Sequence, residues 1–188
     1  MIAGMERRYN VYFLGIDPSA TSTGFALLGE NSQYVFAGKI LPKKLRGGER
    51  LAFIRDHIEH FLSPYHGRLK FAVIEAPAYE KPMKADLLGQ IRGLFLLLCH
   101  DLSIPAILVA PAAVKKFATG SGMADKAHMI ETARKRWHHW TGTDKDDDEA
   151  DALWMAEFAR GAVCPKGLTR PQLEVLHKLK QLEAEDDV

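Results

Sequence analysis

The sequence predicts one α/β domain, a mixed β-sheet with helices on its faces, and two observations lead to this fold class. First, the apolar runs NVYFLGID, GFALLG and YVFAGKI follow one another closely and are rich in β-branched and aromatic residues. Such runs, separated by Gly, Asn and Ser, predict a meander of three antiparallel strands. Second, the apolar runs that follow alternate with helical patterns, which is typical of a sheet covered by helices.

The remaining elements follow the three strands in a regular order. A stripe of Leu51, Ile54, Ile58 and Phe61 predicts an amphipathic helix over residues 48–62. Two further buried strands are predicted at KFAVIEAP and IPAILVAP. Three more helices are predicted from the apolar run DLLGQIRGLFLLLCHDL, the amphipathic run DKAHMIETARKRW and the run DDEADALWMAEFARG.

The composition agrees with one folded domain and a short tail. The 188 residues are 47% hydrophobic and 26% charged, which is ordinary for a globular protein, and a net charge of +1 predicts no overall attraction to nucleic acid. We place the folded domain at residues 1–162 and a C-terminal helix with an acidic tail at residues 163–188. The sequence shows no cysteine pairing pattern, signal peptide or membrane-spanning run, so we expect a reduced, cytoplasmic protein.

Four acidic residues stand where an active site is expected. Asp17 and Glu75 each end a predicted buried strand, at the sheet edge where α/β proteins hold ligands. Asp148 and Asp151 begin the last core helix with a spacing of three and share one face. Four carboxylates in a partly buried place repel each other unless divalent cations neutralise them, and oxygen ligands favour Mg²⁺ or Mn²⁺. Two simpler explanations stay open, since Asp-Pro is a common turn and DKDDDEAD is also typical of a solvated acidic segment.

Several short motifs occur together in one order along the chain, namely GIDPSATSTGFALL, AVIEAP, LLGQIRG, VKKFATGSGMADKAHM and DDEADALWMA. This ordered set resembles the RuvC family of Holliday-junction resolvases over residues 11 to about 160. The resemblance implies the RNase H-like fold, in which three antiparallel strands and further parallel strands form a mixed sheet flanked by helices. It also implies that the catalytic, metal-binding acids are Asp17, Glu75, Asp148 and Asp151.

The resemblance further implies a reaction, the metal-dependent hydrolysis of phosphodiesters in four-way and other branched DNA, with paired nicks made by a homodimer. Two Mg²⁺ ions, for which Mn²⁺ would substitute, would activate a water and stabilise the leaving oxygen. In this scheme Asp17 bridges both ions, and Glu75 and Asp148 each complete one side. Asp151 is a further ligand or orients the water. Lys126 would place a positive charge beside the scissile phosphate.

Three further residues are assigned to DNA contact by the resemblance. The second functional lysine of the family corresponds to Lys115 or to its neighbour Lys116. The family also presents an aromatic wedge shortly after its second acid, and Tyr79 in EAPAYEKPM is the nearest aromatic residue here. A homodimer needs a seam, and the apolar helix at residues 86–102 is either that seam or a core helix.

Two basic segments also suit DNA contact. Residues 39–50, KILPKKLRGGER, contain five cations, among them Lys43, Lys44 and Arg46. The segment ARKRWHHW interleaves cations with indoles, which either stack on bases or belong to the core.

Several alternatives remain open on the sequence alone. The stretch WTGTDKDDDEADA holds more acids than the family pattern, so Asp147 or Glu149 competes with Asp148 in the assignment. Another nuclease of this fold, such as one that cuts RNA–DNA hybrids, and a non-catalytic module that binds branched DNA are also compatible. GIDPSATSTG resembles the phosphate-binding hairpin of actin-like ATPases and sugar kinases too, but those proteins need about twice this length. Short divergent members of the resolvase family are common in phages, so a phage origin is a further hypothesis.

Overall fold

The computed structural model describes residues 11–77 and 82–186 of the chain. In this part, one sheet runs in the order β3-β2-β1-β4-β5. Its strands are β1 (Tyr12–Asp17), β2 (Thr23–Gly29), β3 (Tyr34–Ile40), β4 (Leu69–Glu75) and β5 (Ala106–Val109). The pairs β1–β2 and β2–β3 are antiparallel, whereas β1–β4 and β4–β5 are parallel. The predicted α/β class, with a meander followed by parallel strands, is therefore confirmed.

The helices in the described ranges are α1 (Gly47–Leu62), α2 (Pro82–Asp101), α3 (Pro111–Thr119), α4 (Lys126–Arg136), α5 (Asp147–Val163) and α6 (Arg170–Asp186), and a 3₁₀ turn follows α1 at Ser63–Tyr65. The sequence analysis did not predict α3, although its boundary signals are present. Pro111 occupies the first turn, and Gly120 ends the helix with a left-handed φ of 86°. Proline at the start and glycine just past the end are favoured helix boundaries.

Side chains alternate between two cores on opposite faces of the sheet. Tyr12, Leu14 and Ile16 of β1 pack with α1 and α2, whereas Phe13 packs in the cluster that includes α3, α4 and α5. Because residues 12–16 are all buried, β1 is a central strand covered on both faces. Asp17 is the last residue of this central strand.

The two indoles of ARKRWHHW belong to the core. Trp137 is 3% exposed and Trp140 is 4% exposed. The ring N–H of Trp137 donates to the carbonyl oxygen of Ser32 at 3.0 Å, and that of Trp140 donates to Glu149 Oε2 at 3.0 Å. Of the two predicted roles, core packing is confirmed and stacking on DNA bases is wrong, because buried rings are not available to a base.

The last helix, α6, folds back on the domain. Val175 and Leu176 are buried in the same cluster as α3 and α5. The predicted helix in the C-terminal segment is therefore present, while the domain boundary at residue 162 stays a prediction. None of the helices in residues 11–77 and 82–186 has the length and apolarity to cross a membrane.

Helix α5 lies directly on the sheet because β1 and β2 carry glycines beneath it. A Cβ added to Gly15 would stand 2.0 Å from the carbonyl oxygen of Ala152 and 2.4 Å from the nitrogen of Ala156. A Cβ added to Gly24 would stand 2.1 Å from the carbonyl oxygen of Asp148. No side chain fits in such gaps, so the close approach of α5 requires glycine at both positions.

We expect Gly15→Ala to lower the free energy of unfolding by about 3 kcal/mol, because the methyl group pushes α5 away from the central strand. Urea denaturation followed by circular dichroism measures the change. Gly48→Ala is the matched control, since a Cβ there meets no atom within 4 Å. A Gly15→Ala protein as stable as the control would contradict the packing argument.

Candidate active site

The carboxyl groups of two neighbouring parallel strands meet at one edge of the sheet. Ile16 of β1 is in register with Ile74 of β4, which places Asp17 beside Glu75. Their side chains are hydrogen-bonded to each other. The backbone of Glu75 is held in turn by Arg92, which is 5% exposed and whose Nε donates to the Glu75 carbonyl oxygen at 3.0 Å. The sheet thus fixes the first two predicted acids of the site.

The first turn of α5 brings the other two acids to the same edge. Gly24 pairs with Asp17 in the β1–β2 ladder, and Asp148 lies directly over Gly24. The Oδ2 atom of Asp148 accepts a short hydrogen bond from the hydroxyl of Ser22. Asp151 follows one turn later on the same face. The bare glycine in β2 is what lets α5 reach the end of β1.

Mutual repulsion among these acids appears in their pKa values. Burial, followed by the charges of Glu75, Asp151 and Asp148, raises the pKa of Asp17 well above its usual value. Burial, followed by the charges of Glu75 and Asp147, raises the pKa of Asp151 to about 7. The structure therefore brings all four predicted acids within electrostatic reach of one another, in a place where their charges are unfavourable.

The donor set consists of carboxylate oxygens, which suit a hard divalent cation. Among residues 11–77 and 82–186, however, no group of three or more His, Cys, Asp or Glu side chains already has the arrangement to hold a metal ion. Asp17 bonds to Glu75, and Asp148 accepts from Ser22. The acids are thus adjacent, with Asp17 bonded to a second acid of the site and Asp148 to a serine hydroxyl.

Two cations stand beside the acids. Lys126 begins α4, is mostly exposed, and pairs with Asp147, whose hydrogen bond raises the pKa of the lysine. Lys115 of α3 is close enough to Asp151 to oppose the rise of that carboxyl's pKa. Its neighbour Lys116 is exposed and lines a separate cavity with residues of α4 and α6. Of the two lysines that the sequence analysis left open, the geometry favours Lys115 for the site.

The adjacent acids of DKDDDEAD have different neighbours in the structure, and the assignment of Asp148 to the site stays a prediction. Asp148 faces Asp17, whereas Asp147 pairs with Lys126 and Glu149 accepts from the ring of Trp140. Asp146 is bound by Lys39 at 2.6 Å, and this hydrogen bond lowers the pKa of Asp146 to about 2. Asp148 therefore lies with Asp17 at the strand ends. Asp146, Asp147 and Glu149 instead pair with Lys39, Lys126 and Trp140, respectively.

The sequence analysis missed the supporting residues Ser22 and Arg92, and it named Asp147 only as an alternative to Asp148 and not as the partner of Lys126. Ser22 lies in ATSTG and Arg92 in LLGQIRG, motifs that carried the resemblance without a role for either residue. The available signal was an arginine inside the apolar run DLLGQIRGLFLLLCHDL, since a charged residue in a buried helix needs a partner. The pairing of Asp147 with Lys126 joins segments 21 residues apart and had no local signal.

Of the predicted DNA-contact residues, Lys115 and Lys126 lie beside the acids, and the cations of residues 43–46 lie elsewhere. Lys43, Lys44 and Arg46 are exposed on the connection between β3 and α1. Tyr79 lies outside the described residues, so its predicted role as a wedge stays a prediction.

The sheet order and the carboxyls on β1, β4 and α5 define the RNase H-like class of α/β proteins. Within that class, the chain belongs to the RuvC family, because the family model for crossover junction endodeoxyribonuclease RuvC matches residues 13–157. The predicted family is therefore confirmed.

Curated relatives agree with the family model. A crossover junction endodeoxyribonuclease RuvC from Hydrogenovibrio crunogenus is 30% identical over 157 residues, which cover 80% of this chain and 84% of the relative. The protein of that name from Anaeromyxobacter dehalogenans strain 2CP-C is 33% identical over 147 residues, 76% of this chain and 77% of the relative. Each alignment spans most of both chains.

A solved structure supports the fold. The RuvC of T. thermophilus, determined in complex with a Holliday junction substrate, matches with a TM-score of 0.66 and 21% identity, over 78% of this chain and 90% of that chain. The same protein determined as "Thermus thermophilus RuvC structure" matches with a TM-score of 0.63. Both matches show the same arrangement of helices and strands.

We expect the metal-free protein to lose stability as the pH rises from about 4 to about 7. The folded pKa of Asp151 lies above its unfolded value of 3.8, so the folded state keeps a proton that the unfolded state has lost. Asp151→Asn reduces this dependence, of which Asp17 keeps a share, and raises the free energy of unfolding at pH 8 by roughly 2 kcal/mol. Urea denaturation in EDTA at several pH values measures both effects.

Glu59→Gln is the control for this series, because Glu59 is an exposed acid on α1. The control is expected to keep the pH dependence of the wild type. If the stability of Asp151→Asn follows the same pH curve as that of the control, the pKa of Asp151 is not raised in the folded protein.

Proposed function

We propose that the protein is a metal-dependent endonuclease that resolves four-way DNA junctions, making paired nicks as a homodimer. One observation carries the proposal, namely the electrostatic contact of Asp17 with Glu75, Asp148 and Asp151 at one edge of the sheet. The chain's membership in the RuvC family supports the substrate, and the homologous T. thermophilus protein was determined with a Holliday junction. As a nuclease of cellular or phage DNA, it would act in the cytoplasm of a bacterium or of a phage-infected host.

We further propose that the cation is Mg²⁺, with Mn²⁺ as a substitute, and that two ions bind per site. Members of the family are metal-dependent nucleases. The residues fit such ions, since Asp17, Glu75, Asp148 and Asp151 offer only oxygen atoms and their repulsion favours added positive charge. When bound, the ions would lower the pKa of a water and stabilise the leaving oxygen.

The chain's own residues would position the substrate. Asp17 at the end of β1 lies between the acids of β4 and those of α5. It is therefore the acid suited to bind both ions. Lys126 supplies a positive charge for the scissile phosphate, and its pairing with Asp147 holds it beside the acids. Lys115 supplies a second cation close to Asp151.

The exposed cations Lys43, Lys44 and Arg46 would contact the phosphate backbone away from the cut. The wedge role of Tyr79 belongs to this proposal as well, since an aromatic side chain after the second acid is suited to the opened centre of a junction.

The first test compares a four-way junction, a linear duplex and an RNA–DNA hybrid, with Mg²⁺ or with EDTA. We expect symmetric nicks in the junction with Mg²⁺ and none with EDTA. Asp17→Asn is expected to lower the rate by at least about a hundredfold while junction binding persists, because the acid's charge is needed for the metal and not for the DNA.

Glu59→Gln, an exposed acid outside the site, is expected to cut like the wild type in this test. Binding of the junction without cleavage under Mg²⁺ and Mn²⁺ would overturn the enzymatic proposal. A strong preference for the hybrid would identify a different nuclease of this fold.

The homodimer is proposed to form through α2. Gly89, Gly93 and Leu97 recur every four residues on this helix, so they form one stripe. A Cβ added to either glycine meets no atom within 4 Å, and Leu97 is 59% exposed. A stripe of small residues ending in an exposed leucine allows a second helix to approach closely. This face of α2 is therefore better suited to pairing with a second copy of the chain than to packing in the core.

We expect Leu97→Glu to convert the dimer to a monomer in sedimentation velocity, since the introduced charge would be buried in the seam. Met123→Glu changes an apolar side chain that is 92% exposed and is the matched control for the oligomeric state. A Leu97→Glu protein that sediments like the wild-type dimer would rule out this face as the seam.

A further inference from the structure

A cavity of about 600 Å³ lies apart from the acids, between α3, α4, α5 and the start of α6. We call it the helical pocket, and its polar lining consists of Lys116, Thr119, Thr132, Lys135, Arg136, Thr169 and Gln172. Trp154 of α5 also lines it. Among the described residues that line the pocket, three carry positive charge and none is acidic. The lining is therefore suited to an anion.

Two buried donors of the pocket's own residues lack a hydrogen-bond partner. Trp154 is 3% exposed, and its ring Nε1 has no acceptor among the described residues. The Nε atom of Arg136 is buried and equally without an acceptor there. An unsatisfied buried donor costs about 1 to 3 kcal/mol, so such groups are rare unless an acceptor from outside reaches them. Both donors belong to residues that line one cationic cavity, and this combination suits a ligand rich in acceptor oxygens.

The three cations differ in how firmly they are already held. Arg136 is bound to the buried carboxylate of Glu157, which fixes its position. Lys135 pairs with Glu131 at 2.6 Å on the exposed surface of α4, a contact that water weakens. Lys116 is exposed and has no ion-pair partner in the described part of the chain. One anchored guanidinium and two lysines at the rim therefore form a site of the kind that binds a phosphate group.

We propose that the helical pocket binds a backbone phosphate of a DNA arm, at a distance from the cut. The inference rests on the proposed function for the presence of DNA. Lys126 at the start of α4 and Arg136 at its end are separated by about 15 Å along the helix axis. This distance corresponds to a few base pairs of duplex, given a rise of about 3.4 Å per pair.

The pocket depends on a part of the chain beyond the family pattern. Thr169, Pro171 and Gln172 close one side of it, and the family model ends at residue 157. The side chain of Gln172 accepts from the backbone N–H of Thr169 at 2.9 Å, which orders this wall. Helix α6 thus adds a contact to the DNA surface that the matched domain by itself does not build.

The test measures affinity for a four-way junction and for a linear duplex, in EDTA, at several salt concentrations. Lys116→Gln and Lys135→Gln are the variants, and Lys70→Gln is the matched control. Lys70 is exposed near the start of β4, at the opposite end of that strand from Glu75. We expect each pocket variant to weaken binding several-fold and to reduce the slope of log K against log salt by about one, while the control matches the wild type.

A second arm locates the phosphate. Neutral methylphosphonates replace single phosphates three to six base pairs from the cleavage position. This range follows from the length of α4, roughly 15 Å, and a duplex rise of about 3.4 Å per base pair. One of these positions is expected to weaken binding of the wild type but not of Lys116→Gln. Equal losses for both proteins at every position would overturn the assignment.

The outcomes separate this proposal from the proposed function. Pocket variants that bind both DNAs like the wild type overturn the pocket, whether or not the wild type cleaves a junction. Salt slopes that fall in the pocket variants support the pocket even if cleavage is never found. If inorganic phosphate binds to the wild type but not to the variants while their DNA affinities are equal, the pocket is a site for a free anion and the DNA assignment is overturned.

Discussion

The contact of α5 with the bare backbone of β1 and β2 is the constraint on which the rest of the structure depends. Gly15 lets the middle of the helix rest on the central strand, and Gly24 lets its first turn reach the strand end. The acids of α5 thereby arrive beside the acids of β1 and β4, which the parallel register already places together. A side chain at either glycine would separate the two halves of the site. The candidate active site of this chain thus depends on two glycines that carry no functional group themselves.

This packing has an electrostatic cost that the surrounding residues only partly relieve. Burial and mutual repulsion raise the pKa values of Asp17 and Asp151, so the charged cluster opposes folding near neutral pH. Ser22 donates a hydrogen bond to Asp148, and Arg92 donates one to the backbone carbonyl oxygen of Glu75, so both residues hold the acids in position. The cations Lys115 and Lys126 lie beside the four acids, and Lys126 pairs with Asp147. The uncompensated negative charge is what makes the site attractive to a divalent cation.

Sequence reasoning predicted those parts of the molecule that follow from local pattern. Short apolar runs rich in β-branched and aromatic residues predicted the strands, and an acid at the end of a buried run predicted Asp17 and Glu75. Helix α3 was not predicted because its nine residues span little more than two turns, although Val114 and Phe117 lie three apart on one buried face. The choice between Lys115 and Lys116 and the partner of Asp147 depend on how helices face each other. Such contacts between distant segments leave no periodic signal in one chain.

Helix α5 also joins the candidate active site to the helical pocket. Its first turns carry Asp148 and Asp151, and its middle carries Glu157, which is 0% exposed and binds both Arg136 and Arg160. Arg160 in turn donates to the carbonyl oxygen of Cys164 at 2.6 Å, on the connection that leads to α6. A buried ion cluster of this kind contributes little net stability but fixes the relative position of its partners. Because α5 carries Asp148 and Asp151 and also holds Arg136 of the helical pocket through Glu157, a phosphate bound in the pocket would set the position of a DNA arm relative to the acids.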